Sequence, residues 1–316
     1  MAKKIVAFCA GRRNGNCEIL TKEALMGAEE MGVEVEYIWM NGLHLEPCKE
    51  CPMGRCYMDG PSACIIKDDG PWLADKFLDS DGYILAAPVF SLSPSGIVTV
   101  FRDRVFGPKM DVASWETNGI PAWSKYGVKY RPGGLISVGG AVTKNWTSLG
   151  MATLYTTTFS THTQVVDYMD VNRVADVGAV TLKPELLAEA RQLGRNVAYS
   201  VLHPEEGNPW RKEPQGETCP GCRQNLMIYK KGNDYMECAI CGTRANISIT
   251  DGKIDLAFEQ GGPDDRMTVK GLYTHQDEIN HMRATEYTPF EDQVKENLKK
   301  YREYKAGEVK PPSRQR

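Results

Sequence analysis

The chain has 316 residues, of which 41% are hydrophobic, and 38 Lys and Arg stand against 41 Asp and Glu for a net charge of -3. The length corresponds to about two ordinary domains, and the apolar content is enough for a globular core, which excludes disorder over the whole chain. The slightly acidic balance argues against binding to a nucleic-acid backbone. No apolar run approaches the roughly 18 residues that a membrane span needs, and no processing site precedes the first strand-like run, so we expect a cytoplasmic protein.

Short β-rich runs alternate with longer amphipathic stretches over residues 1–205. Strands are predicted at residues 4–10, 33–40, 82–89, 134–139 and 163–168, and helices at residues 17–31, 72–80, 95–106, 145–160 and 184–202. This alternation is typical of a parallel sheet with helices on both faces. The sequence therefore predicts an α/β domain with a flavodoxin-like sheet of five parallel strands.

Two insertions interrupt this pattern. Residues 42–69 carry four cysteines with several Gly and Pro, so we expect a loop that needs its own organising centre. Residues 107–132 contain Trp115, Trp123, Tyr126 and Tyr130. This second insertion would cover a binding site or a subunit contact, unless its aromatic side chains simply pack in a core.

The character of the chain changes after residue 205. Residues 206–217 are polar and rich in proline, which predicts a linker. Residues 218–260 contain four short β-rich runs separated by the turn signals KGND and TDGK, so we expect a small module of hairpins. Residues 261–316 form a C-terminal extension with one amphipathic helix predicted at residues 289–304, whereas residues 261–284 have little periodicity.

The first predicted strand runs directly into the turn AGRRNGNC, residues 10–17, and then into a helix. Open α/β sheets bind anions at this position, because small residues let backbone N–H groups approach a phosphate and the helix N-terminus adds partial positive charge. The pattern is neither GxGxxG nor GxxxxGK[ST], which excludes a dinucleotide fingerprint and a nucleoside triphosphate loop. A helix N-cap with solvated arginines is the alternative interpretation.

Two further turns follow predicted strands at the same edge of the sheet. They are APVFSLSPSG at residues 87–96 and SVGGA at residues 137–141. Because the carboxyl ends of parallel strands line the ligand crevice, these turns would bring backbone amides to the polar edge of a flat ring.

These segments, together with the loop of four cysteines, resemble the flavodoxin-like NADPH-dependent FMN reductases, and among them the iron-sulfur flavoproteins. The resemblance covers residues 1–205 and is strongest in GRRNGN, APVFSLSPSGIVTVFRDR and CIIKDDG. It implies FMN as the cofactor, NAD(P)H as a possible electron donor, and a homodimer or homotetramer. The FMN-binding residues implied by the resemblance are Arg12, Asn14, Asn16 and Cys17 for the phosphate, and Pro88, Val89, Phe90, Ser91, Gly139 and Gly140 for the isoalloxazine. Where the family commonly has a Ser and a Thr in the phosphate turn, this chain has Ala10 and Cys17.

The cysteines of the first insertion are Cys48, Cys51, Cys56 and Cys64. Four thiolates so close in the chain can surround one metal centre. The resemblance implies a [4Fe-4S] cluster, although the second gap has four residues where the family usually has two. Structural zinc and unligated or redox-active thiols are the alternatives. A cluster beside a flavin would allow electron pairs to be divided into single electrons.

A second group of cysteines, Cys219, Cys222, Cys238 and Cys241, forms two CxxC pairs separated by fifteen residues. This spacing closely matches a zinc ribbon, and a module this small needs a metal to fold. We expect structural zinc, with a rubredoxin-like iron centre as the alternative, because CAICG resembles a rubredoxin knuckle.

The predicted function is that of an FMN-dependent oxidoreductase. Electrons would pass between NAD(P)H or a reduced carrier, FMN and the [4Fe-4S] cluster to a small-molecule or protein acceptor. No catalytic side chain is predicted, although His162 would lie near the flavin as a proton donor or as a structural residue. One alternative is a reductase of one specific organic substrate with structural zinc only, and another is a redox-responsive sensor that acts through the zinc ribbon.

Overall fold

The computed structural model of the protein describes residues 2–51, 55–106, 115–116, 118–158, 161, 163–214, 218–229, 231–259 and 265–304. The prediction for His162 and the part of the second insertion at residues 107–114 and 117 lie outside the described residues. In the part of the chain that is described, every helix falls short of the length or the apolar character that a bilayer crossing requires.

A parallel sheet lies at the centre of the fold. Its strands are β1 (Lys4–Cys9), β2 (Glu34–Trp39), β3 (Gly82–Phe90), the short β4 (Ser93–Pro94), β5 (Pro132–Val138) and β6 (Gln164–Val171). The order is β2-β1-β3-β5-β6, with neighbours parallel, and β4 pairs antiparallel with β3 alone. This is the doubly wound order of flavodoxin-like proteins, so the predicted fold class is confirmed.

Helices cover both faces of this sheet. They are α1 (Asn16–Glu29), α2 (Arg55–Met58), α3 (Gly70–Asp79), α4 (Gly96–Phe101), α5 (Gly150–Tyr155) and α6 (Pro184–Leu202). Alternate residues of β1 belong to the hydrophobic cores on the two faces of the sheet, because successive side chains of a strand point to opposite faces. Val6 and Phe8 pack with residues of α3, α4 and α5, whereas Ile5 and Ala7 pack with residues of α1 and α6.

The structure differs from the predicted helix at residues 145–160. Only Gly150–Tyr155 is α-helical, and a 3₁₀ turn, Thr156–Thr158, follows it. The hydroxyls of Thr156, Thr157 and Thr158 each donate a hydrogen bond to the carbonyl three residues earlier, at 2.6 to 2.8 Å. Threonine side chains that bond their own backbone in this way compete with the α-helical pattern, so the helix ends early.

The predicted hairpin module forms a separate antiparallel sheet. Its strands are β7 (Met227–Tyr229), β8 (Tyr235–Cys238), β9 (Arg244–Thr250) and β10 (Lys253–Glu259), in the order β10-β9-β8-β7. We refer to residues 218–259 as the ribbon.

The ribbon packs directly on the parallel-sheet domain through Trp210. The Trp210 ring stacks on Tyr155 at 6.3 Å and meets the edge of Tyr168 at 6.0 Å between ring centroids. Its Nε1 donates a hydrogen bond of 3.2 Å to the carbonyl of Gly221, inside the first CxxC pair. The cysteines of the ribbon therefore belong to the same apolar core as α3 and α5.

Residues 1–272 form one compact unit and residues 273–316 form another. The predicted C-terminal helix is present as α8 (Glu291–Glu303), and a further helix, α7 (Val269–Met282), includes much of the segment that has little periodicity. A π-helical turn, Arg283–Tyr287, follows α7.

Two glycines allow α1 and α6 to approach closely. A Cβ atom on Gly27 would fall on the carbonyl of Arg191, and one on Gly194 would fall on the carbonyl of Ala24. Because backbone atoms occupy both positions, neither clash can be relieved by a change of side-chain rotamer.

We expect Gly194→Ala to lower the free energy of unfolding by about 3 kcal/mol, since the added methyl must push the two helices apart. Urea unfolding followed by circular dichroism measures the effect. The control is Gly127→Ala, because a Cβ on Gly127 meets no heavy atom within 4 Å. Equal midpoints for the two variants would contradict the close approach.

Candidate functional site

Four loops meet at the carboxyl ends of the parallel strands. They follow β1, β3, β5 and β6, and backbone hydrogen bonds tie them together. The N–H of Leu149 donates to the carbonyl of Leu92 at 3.1 Å, and the N–H of Arg173 donates to the carbonyl of Ala141 at 3.1 Å. The segments that carry the predicted cofactor-binding residues therefore form one continuous edge, where open α/β sheets bind their ligands.

Side chains at and just after the end of β2 bind two carbonyls of the turn between β1 and α1. Trp39 Nε1 donates a hydrogen bond of 2.8 Å to the carbonyl of Gly11, and Asn41 Nδ2 donates one of 2.8 Å to the carbonyl of Ala10. Gly15 precedes α1 as its N-cap and supplies no side-chain acceptor. The N–H groups of the first turn of α1 are therefore available to an anion such as a phosphate.

Asn16 binds the protein itself through its side chain. Its Nδ2 donates hydrogen bonds of 2.8 Å to the carbonyls of both Val174 and Asp176, and its Oδ1 accepts one of 3.1 Å from the N–H of Val180. Both polar atoms of the amide are thus occupied by the loop after β6. Only the backbone N–H of Asn16 is left to contact a phosphate, and the side chain fixes the wall of the site.

The other residues predicted to bind the phosphate differ in the chemical groups that they can present to it. Arg12 is exposed, with Nη2 3.5 Å from the carbonyl of Ala175, so its guanidinium lies at the rim of the site. Asn14 has a φ of 56°, a left-handed conformation that asparagine tolerates. Cys17 is buried against Gly11, and burial raises the pKa of its thiol well above the ordinary value. Its thiol therefore stays neutral, so the group that Cys17 can present to a phosphate is its backbone N–H in the first turn of α1.

Glu18 is the site residue that the sequence interpretation missed. Its buried carboxylate accepts hydrogen bonds from the N–H of Asn14 at 2.5 Å, from Arg13 at 3.0 Å and from the Tyr37 hydroxyl at 3.1 Å. Lys22 Nζ lies 3.2 Å away. Burial by itself would raise the pKa of Glu18, but the four donors lower it to about 2. A signal was present, because a glutamate at the third helical position is half of a capping box.

The loop after β3 carries the predicted isoalloxazine contacts Pro88, Val89, Phe90 and Ser91. The Phe90 ring is 64% exposed at the end of the strand, which is unusual for a large apolar side chain. Ser91 and Leu92 follow with φ values of 47° and 75°. Two consecutive left-handed residues without glycine are strained, and such strain is concentrated at ligand sites.

The loop after β5 brings Gly139 and Gly140 to the same edge. Gly139 is buried, and a Cβ there would fall on the Thr147 side chain, whereas Gly140 is exposed. Within the described ranges, the buried hydroxyls of Ser95 and Ser137 have no hydrogen-bond partner. Unpaired polar atoms beside free helix N–H groups and an exposed aromatic ring fit a flat, polar-edged ligand with a phosphate, as FMN is.

The four cysteines of the first insertion do not form a compact site for a single metal ion. The described residues include Cys48, Cys51, Cys56 and Cys64, and no three of their sulfur atoms lie within 4.8 Å of one another. All four side chains are partly exposed. This separation excludes a site for a single ion held by three of these sulfurs, but the thiolates of a [4Fe-4S] cluster each bind a different iron and stand farther apart, so the predicted ligand set stays a prediction.

An ion pair organises this insertion instead. Arg104 and Asp68 are almost completely buried and form two hydrogen bonds of 2.6 Å. Arg104 also donates to the carbonyl of Glu46 at 2.5 Å, and its Nη2 lies 3.7 Å from the Cys64 sulfur. Both ends of the loop of cysteines are thus fixed to Arg104, three residues beyond the end of α4. Burial raises the pKa of Asp68, but the hydrogen bond from Arg104 outweighs this effect and the pKa lies below its ordinary value.

The cysteines of the ribbon converge as predicted. All four are fully buried and their sulfur atoms lie within 4.8 Å of one another, with Cys219 and Cys241 3.4 Å apart and Cys222 and Cys238 also 3.4 Å apart. These separations exceed a disulfide bond of about 2.05 Å and approach the roughly 3.8 Å edge of a ZnS₄ tetrahedron. The four thiolates fit a structural zinc ion, and the same donors are chemically compatible with iron.

Aromatic residues of the second insertion pack against each other and against the first insertion. Trp115 is buried and meets Trp123 edge to face at 5.4 Å. Trp123 covers Gly60, where a Cβ would fall on the indole, and the Tyr126 hydroxyl donates to Asp75 at 2.9 Å. Core packing therefore accounts for these residues, whereas the side chain of Tyr130 is exposed.

A flavodoxin-like sheet with free helix N–H groups, a strained loop and an aromatic ring at its ligand edge defines a flavin-dependent oxidoreductase. The chain matches the NADPH-dependent FMN reductase family over residues 3–161, and it belongs to that family. The resemblance predicted from the sequence is thus confirmed.

The chain is similar to two kinds of protein, those named for flavone chemistry and those named iron-sulfur flavoproteins. The chain is 28% identical to a flavone synthase of Aspergillus candidus over 275 residues, which are 82% of this chain and 83% of that protein. It is 29% identical over 140 residues to an iron-sulfur flavoprotein of Methanosarcina thermophila, covering 44% of this chain and 64% of that protein. Among solved structures, a flavone reductase aligns with a TM-score of 0.77 at 26% identity, over 98% of this chain and 100% of that one.

We expect Glu18→Gln to lower the free energy of unfolding at pH 7 by about 3 kcal/mol, because a carboxylate with a pKa of about 2 favours the folded state by roughly that amount. The pKa is depressed in the folded protein, so this contribution is present above about pH 5 and is lost as the pH falls toward 2. Urea unfolding at several pH values measures it.

Between about pH 5 and pH 2, the free energy of unfolding should therefore fall less steeply with pH in Glu18→Gln than in the parent protein. The control is Glu29→Gln, an exposed position in the same helix. Parallel pH profiles for parent and Glu18→Gln would contradict the assigned role of Glu18.

Proposed function

We propose that this protein is an FMN-dependent reductase of a flavone-like aromatic carbonyl compound, with NAD(P)H as the electron donor. The observation that carries the proposal is the likeness to a flavone reductase over 98% of the chain, which includes the ribbon and the C-terminal extension as well as the flavin domain. A protein that shared only the flavin chemistry would be expected to align over the FMN reductase region alone.

Bound FMN would supply the chemistry, because it accepts a hydride from a nicotinamide and returns two electrons to an acceptor. The first turn of α1 and Arg12 would hold its phosphate, and Pro88, Val89, Ser91, Gly139 and Gly140 would contact its ring. Reduction of the double bond of a flavone takes up one hydride and one proton. NAD(P)H supplies the hydride through the cofactor, and solvent supplies the proton.

The exposed ring of Phe90 is the natural contact for such a substrate. Phe90 is itself one of the residues predicted to contact the isoalloxazine, but its ring is exposed, and flat aromatic compounds gain binding energy from offset or edge-to-face contact with an aromatic side chain. Phe90 would thus orient the substrate rather than take part in proton or electron transfer. Homo-oligomer formation and a cytoplasmic location stay predictions.

Phe90→Ala is expected to lower kcat/KM for flavone about tenfold, equivalent to about 1.4 kcal/mol of lost contact, with little change in FMN content. The measurement is NADH or NADPH oxidation coupled to flavone loss, with ferricyanide reduction as a substrate-independent readout. Tyr229→Ala, which truncates an equally exposed aromatic residue in the ribbon, is the control. Equal loss with flavone and ferricyanide would assign Phe90 to the cofactor, and no flavone reduction by the parent protein would overturn the proposed substrate class.

Electron transfer through a [4Fe-4S] cluster is the second candidate function. Three relatives named iron-sulfur flavoproteins favour it. The Arg104 guanidinium beside Cys64 would also offset the negative charge of a thiolate-bound cluster. In that case the protein would deliver single electrons to a redox partner.

Metal analysis of anaerobically purified protein separates the two candidates. We expect one FMN and one zinc per chain for the reductase, with the zinc lost in Cys238→Ser and retained in Cys56→Ser. About four irons and four sulfides per chain, lost in Cys56→Ser, would instead establish the cluster. Iron without sulfide that is lost in Cys238→Ser would assign a rubredoxin-like centre to the ribbon.

A further inference from the structure

We propose that the protein has a second ligand site, distant from the flavin edge, that takes a small phenolic carboxylate. The site is a cavity of about 730 Å³ between the amino ends of the parallel strands and the ribbon. This volume falls within the range of small-molecule pockets in proteins.

The cavity opens at the edge of the sheet opposite to the proposed flavin site. Its lining includes Lys3, Asp81, Pro132 and Gln164, which stand at or just before the first residues of β1, β3, β5 and β6. The phosphate turn lies beyond the carboxyl end of the same β1 strand. Six strand residues span about 20 Å, so a ligand in this cavity cannot contact the flavin.

The far wall of the cavity belongs to the ribbon and the segment that leads to it. Trp210 and Gly221 line it, and these residues are joined by the hydrogen bond from the indole N–H. Tyr155, Val201 and Met267 add apolar surface. A flat aromatic ring would therefore find an apolar wall here, and it would touch the first CxxC pair and the parallel sheet together.

Asn208 supplies an unsatisfied polar group in the lining. The residue is 4% exposed, with a left-handed φ of 55°, and its Nδ2 donates a hydrogen bond of 3.0 Å to the carbonyl of Tyr130. Its Oδ1 is buried and has no partner in the described part of the chain. A buried acceptor without a partner costs about 1 to 3 kcal/mol, so a donor such as a phenol hydroxyl is the complementary group.

Positive charge is in excess among the charged side chains of the lining. Lys3 and Lys129 lie 3.6 Å and 3.4 Å from a carboxylate oxygen of Asp81, and all three residues line the cavity. Lys129 Nζ also donates to the carbonyls of Asp79 and Ser80, so it contributes charge rather than a free donor, and the three charged side chains of the lining sum to one positive unit that favours an anion. The buried acceptor, the apolar wall and the net positive charge together specify an aromatic ring that carries a hydroxyl and a carboxylate.

Occupancy of this site would hold the ribbon on the sheet. A ligand that binds only the folded protein stabilises it in proportion to the logarithm of its concentration over Kd, and this ligand would contact both structural parts. The melting temperature should therefore rise with ligand while NAD(P)H oxidation continues.

The test is isothermal titration of the FMN-loaded protein with 4-hydroxycinnamate. We expect saturable binding that weakens about fivefold in Lys129→Met, through loss of one charge contact. Binding should disappear in Gln164→Trp, which places a large ring over the mouth from an exposed position. The control is Lys125→Met, because Lys125 is an exposed lysine outside the lining, paired with Asp75.

Thermal unfolding of each variant without ligand verifies that it is folded, so that loss of binding in Gln164→Trp reports the cavity itself. Saturable heat that excess flavone or FMN abolishes would place the probe in the flavin site and overturn the proposal. Absence of saturable heat in the parent protein, or equal binding by the parent protein and both cavity variants, would overturn it as well. These outcomes are independent of flavone turnover, and so they leave the proposed function untouched.

Discussion

The turn between β1 and α1 depends on one buried carboxylate. The Glu18 carboxylate accepts hydrogen bonds from the N–H of Asn14, from Arg13 and from the Tyr37 hydroxyl. It also forms an ion pair with Lys22, and together these contacts hold the turn in one conformation. The side chains of Trp39 at the end of β2 and of Asn41 just after it bind the carbonyls of residues 10 and 11, so the N–H groups at the start of α1 are the polar groups that this turn can offer to an anion. An acidic residue near the start of this helix is tolerated because the hydrogen bonds and positive charges of its neighbours match its charge. The remaining loops then assemble against this fixed turn, above all through the side chain of Asn16.

The two groups of four cysteines illustrate what determines a metal site. In the ribbon, each CxxC pair lies on a short turn beside a strand of a compact sheet, and Trp210 anchors the first pair to the larger domain. The backbone thus brings four sulfurs together in one buried place. In the first insertion, Arg104 and Asp68 anchor the chain ends, and among the described residues Cys56 lies in the single turn of α2 and Cys64 follows a 3₁₀ turn, whereas Cys48 and Cys51 lie outside helices and strands. Spacing in the sequence limits where thiolates can go, whereas the surrounding backbone decides whether they meet.

The ribbon shares a hydrophobic core with the parallel sheet. A hairpin module on a free linker would be independent of the flavin domain, yet residues 208–212 are bonded to the sheet and to α6. The N–H of Arg211 donates to the carbonyl of Val166 at 2.7 Å, and Lys212 pairs with Glu189 at 2.5 Å. Folding of the ribbon is therefore coupled to folding of the sheet through a shared core. This coupling creates a cavity between them with polar groups that neither part would bury alone.

The sequence by itself determined the doubly wound sheet and the ribbon of four cysteines, because the alternation of strands and helices and the CxxC spacing are local patterns with a direct structural meaning. The class of cofactor followed from the resemblance of three turns to the FMN reductases. Helix α6 was predicted with its observed bounds, whereas α5 is shorter than expected because three threonine hydroxyls bond their own backbone. Only the tertiary structure decided that Glu18 is buried, that the Asn16 amide faces the loop after β6, that Arg104 fixes the first insertion and that Trp210 joins the ribbon to the sheet. Each of these contacts connects residues whose partners lie on different elements, in most cases far apart in the chain. Their energy depends on burial and geometry that no local pattern specifies.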